Sequence, residues 1–190
     1  MFAEPGQSRS SQLIKIAISF MKLDCGPCQL RSWQLTDAET LVKHTNNRKL
    51  WINLRDRFPH PYTQADADWW VKFASETAPT TNLAIEVDGE AVGSIGLERH
   101  TDIERCLAEV GYWLSEQHWG KGIMTAALRT FTTYAFGRFG LTRLYAVPFA
   151  RNEGSVRILE KAGYQREGLM RRSAIKDGVV LDQYLYAYVV

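Results

Sequence analysis

The sequence predicts a single α/β domain, with a mixed, mostly antiparallel, twisted sheet of about seven strands flanked by about four helices. Three observations lead there. Strand-like runs come in pairs around Asp88-Gly89 and Asp177-Gly178, dipeptides that tolerate the positive φ angles of tight antiparallel hairpins. A long helical stretch, Gly122 to Gly137, lies between strand-like Cys106–Leu114 and Leu144–Val147, giving one β-α-β unit and so one parallel pair. At 190 residues, 45% apolar and 23% charged, the chain can bury one substantial core and has little room for two.

Residues 1–20 read as an N-terminal extension ahead of a domain occupying 21–190. Positions 1–12 are polar, and Leu13 to Phe20 form only a short apolar run. A secretory signal needs a basic start, a longer apolar core and a small-residue cleavage site, so a cytoplasmic protein is expected, with Met21 a candidate start. No stretch approaches the roughly 18 apolar residues of a membrane span. Cys25-Gly26-Pro27-Cys28 has redox C-x-x-C spacing. Redox pairs of that kind open a helix whose N-terminus activates the thiol. Here the alternating run Gln29–Leu35 follows, so a turn entering a first strand is expected. Three cysteines make no disulfide framework.

Thr36-Asp37-Ala38-Glu39 has the form of a capping box, and Ala38, Leu41, Val42 and Thr45 then recur at helical spacing. The segment 46–62 is irregular, with Pro59 and Pro61 breaking any helix. Thr63 to Asp66 cap a second helix carrying Trp69, Trp70 and Phe73. Strands follow at Leu83–Val87, Ala91–Leu97 and Cys106–Leu114. The helix from Gly122 has Ile123, Ala127, Leu128, Phe131, Tyr134 and Ala135 on one face. Leu144–Val147 is a short strand, Glu153–Lys161 a helix closed by Gly163, and Tyr164–Ile175 and Val180–Val189 a last hairpin. The order is β-α-α-β-β-β-α-β-α-β-β.

Lys and Arg number 23 against 21 Asp and Glu, a formal charge of +2. That balance is too even for a nucleic-acid surface. Neither nucleic acid nor membrane is expected as a partner, no metal is expected, and a homodimer is admitted.

The chemistry concentrates in Gln117-His118-Trp119-Gly120-Lys121-Gly122, which opens the longest helix. Its glycines permit a sharp turn and close approach to unshielded amides. The first helical turn leaves about four N–H groups unbonded at the positive end of the macrodipole. Such a terminus suits a pyrophosphate, with Lys121 as a charge at the rim. The Walker pattern is absent, and the dinucleotide pattern fails at Thr125. By itself the loop is equally a glycine-rich turn without a ligand.

Its surroundings are more specific. Q-x-x-G-x-G after Ala108-Glu109-Val110-Gly111-Tyr112-Trp113-Leu114, then Asn152-Glu153-Gly154-Ser155 and Leu159-Glu160-Lys161-Ala162-Gly163-Tyr164, together resemble the GNAT superfamily of N-acetyltransferases. The "EVGYWL", "N-x-x-S" and "EKAGY" forms are similar to the branch containing ribosomal-protein N-terminal (alanine/serine) acetyltransferases. The likeness covers about residues 28–189. It implies acetyl-CoA as co-substrate and a primary amine, on a protein N-terminus or a small molecule, as acceptor. It further implies that the backbone of Tyr112, Trp113 and Leu114 pairs with the pantetheine amides, where this strand splays from Leu144–Val147. The amides of Gln117, His118, Trp119, Gly120, Lys121 and Gly122 would hold the pyrophosphate, Asn152 the pantetheine arm, and Ser155 would lie near the thioester sulfur. Asn152 is equally a plain helix N-cap and Ser155 a first-turn residue.

One position departs from the pattern. Many superfamily members place a tyrosine seven residues after that asparagine, to protonate the thiolate; here it is Leu159. Ser155, a water or nothing must take the role. Tyr164, after Gly163, reads as a core strand residue. For the base, Glu109 is the first candidate, with Glu98 and His100 as rivals; each is equally a solvated or salt-bridged strand residue. Trp51, Arg55, Arg57, Phe58, His60, Tyr62, Trp69 and Trp70 fall where the resemblance places the acceptor groove, although aromatics at helical spacing usually belong to a core. A non-catalytic acyl-CoA-binding module and a redox protein using Cys25 and Cys28 are the alternative classes.

Overall fold

A computed structural model describes residues 21–190; the expected extension, 1–20, lies outside the described residues. Alternating strands and four-residue apolar periodicity give eight strands and five α-helices, one more of each than the sequence predicts. They are β1 (Lys22–Asp24), β2 (Gln29–Arg31), α1 (Ala38–Thr45), α2 (Arg48–Trp51), α3 (Gln64–Glu76), β3 (Asn82–Val87), β4 (Glu90–Arg99), β5 (Leu107–Leu114), α4 (Ile123–Phe139), β6 (Arg143–Ala146), α5 (Glu153–Lys161), β7 (Gln165–Lys176) and β8 (Val179–Val189). The two additions, β1 and α2, are three and four residues long.

All eight strands form one sheet in the order β1-β2-β3-β4-β5-β6-β8-β7. Every pairing is antiparallel except β5 with β6. That parallel pairing is short, from Leu107 opposite Arg143 to Glu109 opposite Tyr145. Beyond it, Val110 to Leu114 keep β4 on one side and have no strand on the other. The sheet therefore opens at its centre.

Each face of the sheet buries its own apolar set. Ala108, Val110 and Leu114 of β5 join Leu83, Ile85, Leu144 and the inner stripe of α4 (Ile123, Ala127, Leu128, Phe131) on one face. Trp113 and Ala84, of opposite parity, join Leu41 of α1 and Ala67, Val71 and Ala74 of α3 on the other. Asp88 and Gly89 turn β3 into β4 with φ of 51° and 83°, as the dipeptide predicts. The C-x-x-C segment is the turn of a β1–β2 hairpin, with Cys25 N–H donating to the Cys28 carbonyl at 3.0 Å. Cys28 is buried in the core, and no helix starts at the pair, so the expected turn holds.

Several boundaries differ for local reasons. The strand expected over Gln29–Leu35 stops at Arg31. The buried Asp37 carboxylate takes both Arg31 guanidinium N–H groups at 2.7 Å and the Gln34 N–H at 2.8 Å, folding the chain back on itself. The capping interaction at this corner thus belongs to Asp37 and Gln34 instead of Thr36 and Glu39. Thr63 and Asp66 do form the capping box of α3. The helix expected to end at Gly137 runs on to Phe139, where Gly140 closes it at φ 62°. In α3 small residues take the core stripe, so Trp69 and Phe73 face outward, 63% and 45% exposed.

Candidate active site

The opening between β5 and β6 widens into a cleft of about 1340 Å³. It runs from the 118–125 turn, past the free part of β5 and the head of α5, to the 49–73 segment. Of the residues singled out in the sequence, Tyr112, Trp113, Leu114, His118, Trp119, Gly120, Gly122, Asn152, Ser155 and Glu109 line it, and Gln117 and Lys121 do not.

At one end, Gly122 caps α4 at φ 78° and Gly120 turns at φ 74°, conformations costly for residues with a Cβ. The first helical bond runs from Ala126 N–H to the Gly122 carbonyl at 3.1 Å. The N–H groups from Gly120 to Thr125 therefore have no backbone or side-chain acceptor among the described residues. His118 also turns into the cleft wall, and its Nδ1 is buried without a partner. Burial, then the nearby Lys121 charge, holds the His118 pKa below the usual imidazole range. An uncompensated donor set of this kind fits an anionic ligand such as a pyrophosphate.

Along β5, hydrogen bonding alternates. The Leu107 carbonyl accepts from His100 and the Ser115 N–H donates to Val92, so odd-numbered residues spend their backbone groups on β4. Val110, Tyr112 and Leu114 direct theirs toward the opening. Trp113 thus departs from the expected trio: its backbone faces Ser94, and its indole packs in the α1–α3 core. The Leu114 carbonyl is already taken, by Trp119 Nε1 at 2.7 Å. That bond was not read from the sequence, although a half-buried indole N–H so close in the chain does need an acceptor.

At the head of α5, Asn152 is the N-cap, its Oδ1 accepting the Ser155 N–H at 3.1 Å. Ser155 Oγ meets the Tyr112 hydroxyl at 2.8 Å. The amide set expected over Gln117–Gly122 is narrower, because His118 N–H donates to the Ser115 carbonyl at 2.9 Å and Trp119 N–H to the Glu116 carbonyl at 3.1 Å; the Gln117, Trp119 and Lys121 side chains are exposed. Leu159 is fully buried in the core, and Tyr164 is buried with its hydroxyl on Thr132 Oγ1 at 2.8 Å.

The candidate bases separate on geometry. Glu109 lines the cleft on the α1–α3 face and is ion-paired with Arg55. Glu98 lies beside it on β4, exposed, with Arg57 at 3.3 Å. His100 turns to Glu104 and the Tyr145 hydroxyl, both at 2.9 Å, and does not line the cleft. The 49–73 segment contributes Arg55, Arg57, Phe58, Tyr62, Trp69 and Trp70 to the wall. Trp51 and His60 instead stack on each other, with ring centroids 5.3 Å apart. Three interactions here escaped the sequence reading: Tyr112 with Ser155, Arg55 with Glu109, and Lys176 with Asp56 at 2.8 Å.

Compared with known families, residues 28–165 match the acetyltransferase (GNAT) domain. The chain belongs to this family. It is 33% identical to a Bacillus subtilis protein carrying the name of a ribosomal N-acetyltransferase, YdaF, over 79% of this chain and 82% of that one. It is 39% identical to a protein of the same organism carrying the name of an N-acetyltransferase, YjcK, over 53% of this chain and 55% of that protein, so the chain spans about half of that relative. Among solved structures, Mycobacterium smegmatis RimJ in complex with CoA-disulfide superposes with a TM-score of 0.78 at 25% identity, covering 90% of this chain and 87% of that one. These matches agree with the resemblance seen in the ordered motifs.

Proposed function

We propose that the protein transfers an acetyl group from acetyl-CoA to a primary amine by direct attack within a ternary complex. The observation that carries this reading is the continuity of one cleft from the unbonded amides of Gly120–Thr125, along the open edge of β5, to Glu109. Bound there, acetyl-CoA would supply an activated thioester. In this reading the α4 amides and His118 bind the pyrophosphate, and the Val110 and Tyr112 backbone groups hold the pantetheine amides. Asn152 orients the head of α5, and the Leu114 N–H faces the developing oxyanion. Ser155 faces the sulfur, and Glu109 takes a proton from the amine directly or through one water.

The acceptor we propose is a polypeptide N-terminal amine. Near pH 7, deprotonating a lysine-type amine costs about 4–5 kcal/mol and an α-amine only about 1 kcal/mol. A polyamine would want several uncommitted carboxylates. Here Glu109 and Glu98 each have an arginine, and Asp66 is committed to capping α3. Phe58, Tyr62, Trp69, Trp70 and Phe73 give this end of the wall an aromatic side. The reading includes a cytoplasmic setting, in keeping with three free thiols among the described residues. It requires neither nucleic acid nor membrane, and it leaves a homodimer open.

Thiol release from acetyl-CoA, measured against short peptides with free N-termini and against spermidine, tests both parts. Peptides should exceed spermidine in kcat/KM by at least about tenfold, or 1.4 kcal/mol. The reverse order would overturn the acceptor assignment. CoA binding without turnover of any amine would favour a non-catalytic acyl-CoA-binding module. In the same assay, Glu109→Gln should lower kcat about a hundredfold at pH 7, and less at pH 9, where more of the amine is already neutral. An unchanged pH profile removes Glu109 as the base.

A further inference from the structure

The free edge of β5 presents one polar side chain toward α5, the phenol of Tyr112. Its parity places it on the α4–α5 face, opposite to Glu109 and Trp113. The hydroxyl lies 2.8 Å from Ser155 Oγ and 3.5 Å from the Ser155 carbonyl. Both residues line the cleft. The Ser155 N–H is already spent on Asn152, so the serine hydroxyl is the group left to act at this point.

The direction of the 2.8 Å bond follows from counting donors. Each hydroxyl has one proton and two lone pairs. If Ser155 donated, the phenol proton would be left with the Ser155 carbonyl at 3.5 Å, the outer limit of a hydrogen bond and much the poorer of the two contacts. If Tyr112 donates, its proton is satisfied and the serine proton is free to point into the cleft. A hydroxyl that accepts a hydrogen bond is also the stronger donor.

We propose that Tyr112 is a positioning residue for the departing thiolate: its phenol donates to Ser155 Oγ and dedicates the Ser155 proton to the sulfur. The proposal rests on the acetyl-transfer reading. In the step, the amine nitrogen bonds to the acetyl carbon and the C–S bond breaks, its electron pair passing to sulfur. The nitrogen gives up one proton, and the thiolate, held by Ser155 Oγ–H, takes one proton back from solvent. Neither hydroxyl needs to ionise. Burial pushes the Tyr112 phenol well above its ordinary range, so it remains a donor throughout the working pH. Tyr164, its ionisable neighbour, is likewise pushed up to about 12 by burial. On α5, Glu153 and Arg157 pair with each other at 3.4 Å on the exposed side. His118 and Lys161 also line the cleft, and comparison with desulfo-CoA, which differs from CoA only in the thiol, removes the contribution of such neighbours from the readout.

The test is calorimetric binding of CoA and of desulfo-CoA, which lacks the thiol, to the full chain between pH 7 and 10. A thiolate stabilised by Ser155 has a lowered pKa when bound. The preference for CoA over desulfo-CoA should therefore grow about tenfold as pH rises through the thiol range. Tyr112→Phe should flatten that rise. Ser155→Ala should flatten it too, and the double variant should add nothing further. In turnover, Tyr112→Phe should lose about tenfold in kcat while the acetyl-CoA KM stays within about twofold. Intact desulfo-CoA binding shows that each variant is folded. A pH rise kept in Tyr112→Phe, or lost only in Ser155→Ala, overturns the proposal while leaving the acetyl-transfer reading in place. Failure of the wild type to bind either ligand overturns both.

Discussion

Leu159 shows how one side chain can move a chemical role elsewhere. Where many relatives of this fold carry a tyrosine for the leaving thiolate, this chain has a leucine with no exposed surface. It packs among Ala162, Tyr164 and Tyr186 in the α4–α5 core. In the proposed reading the sulfur is served instead by the Ser155 hydroxyl, with Tyr112 behind it. Restoring the tyrosine should therefore not restore an acid. Leu159→Tyr forces a larger, polar side chain into a filled space, and should destabilise the protein by about 1–3 kcal/mol without raising kcat. Thermal melting with a thiol-release assay checks this; higher kcat at unchanged stability would show that position 159 reaches the cleft. Legibility at this scale follows sequence distance. Asn152 capping Ser155 and the turn at Gly122 are local, and both were readable. Tyr112 with Ser155, Arg55 with Glu109 and Lys176 with Asp56 join residues 43, 54 and 120 positions apart. No periodicity encodes such pairs.

Among the elements, the 46–62 segment depends most on others. It holds one helix of four residues, α2, and its remaining backbone bonds are isolated turns such as Phe58 N–H to the Arg55 carbonyl. The tip of the β7–β8 hairpin holds it in place. Lys176, only 1% exposed, reaches Asp56 at 2.8 Å and lies 3.7 Å from the centre of the Trp51 ring. Asp177 takes Arg48 at 2.6 Å. Because the same segment carries Arg55 and Phe58 into the cleft, the hairpin braces this end of the cleft wall through Lys176 and Asp177. Lys176→Met keeps the unbranched stem and removes the charge. The Asp56 side chain is 74% exposed, which weakens the ion pair, so the loss should come mainly from the ring contact, about 1–2 kcal/mol. The acceptor KM should rise several-fold with acetyl-CoA binding unchanged; a change in acetyl-CoA binding alone would contradict the anchoring role. Long elements were legible because alternation and four-residue spacing need several repeats to show. β1 and α2, at three and four residues, are too short to repeat either pattern, and they were the elements missed.

For the molecule as a whole, the decisive feature is a sheet joined weakly at its middle. Strands β1–β5 form one half and β6, β8 and β7 the other, and the strand pairing that joins them among the described residues is the short one of Leu107–Glu109 with Arg143–Tyr145. The mixed sheet was predictable from two hairpins and one crossover. The resemblance also put the opening where Tyr112–Leu114 splay from Leu144–Val147; periodicity and spacing alone did not, because the last paired residue, Glu109, depends on how far β5 outruns β6. A ligand lying in that opening contacts both halves, β5 and the α4 turn on one side and the head of α5 on the other. Binding to the folded state alone at a hundred times its Kd adds about 2.7 kcal/mol, so CoA at that concentration should raise the melting temperature by about 5–10 °C. The gain should also be spatially specific. Hydrogen exchange should slow at the amides of Gly120–Thr125 and at Val110, Tyr112 and Leu114. It should slow again at the start of α5, and leave the β1–β2 hairpin and the outer face of β7 unchanged. Protection confined to one half of the sheet would mean that the ligand does not bridge the opening, and would move the donor site out of the cleft.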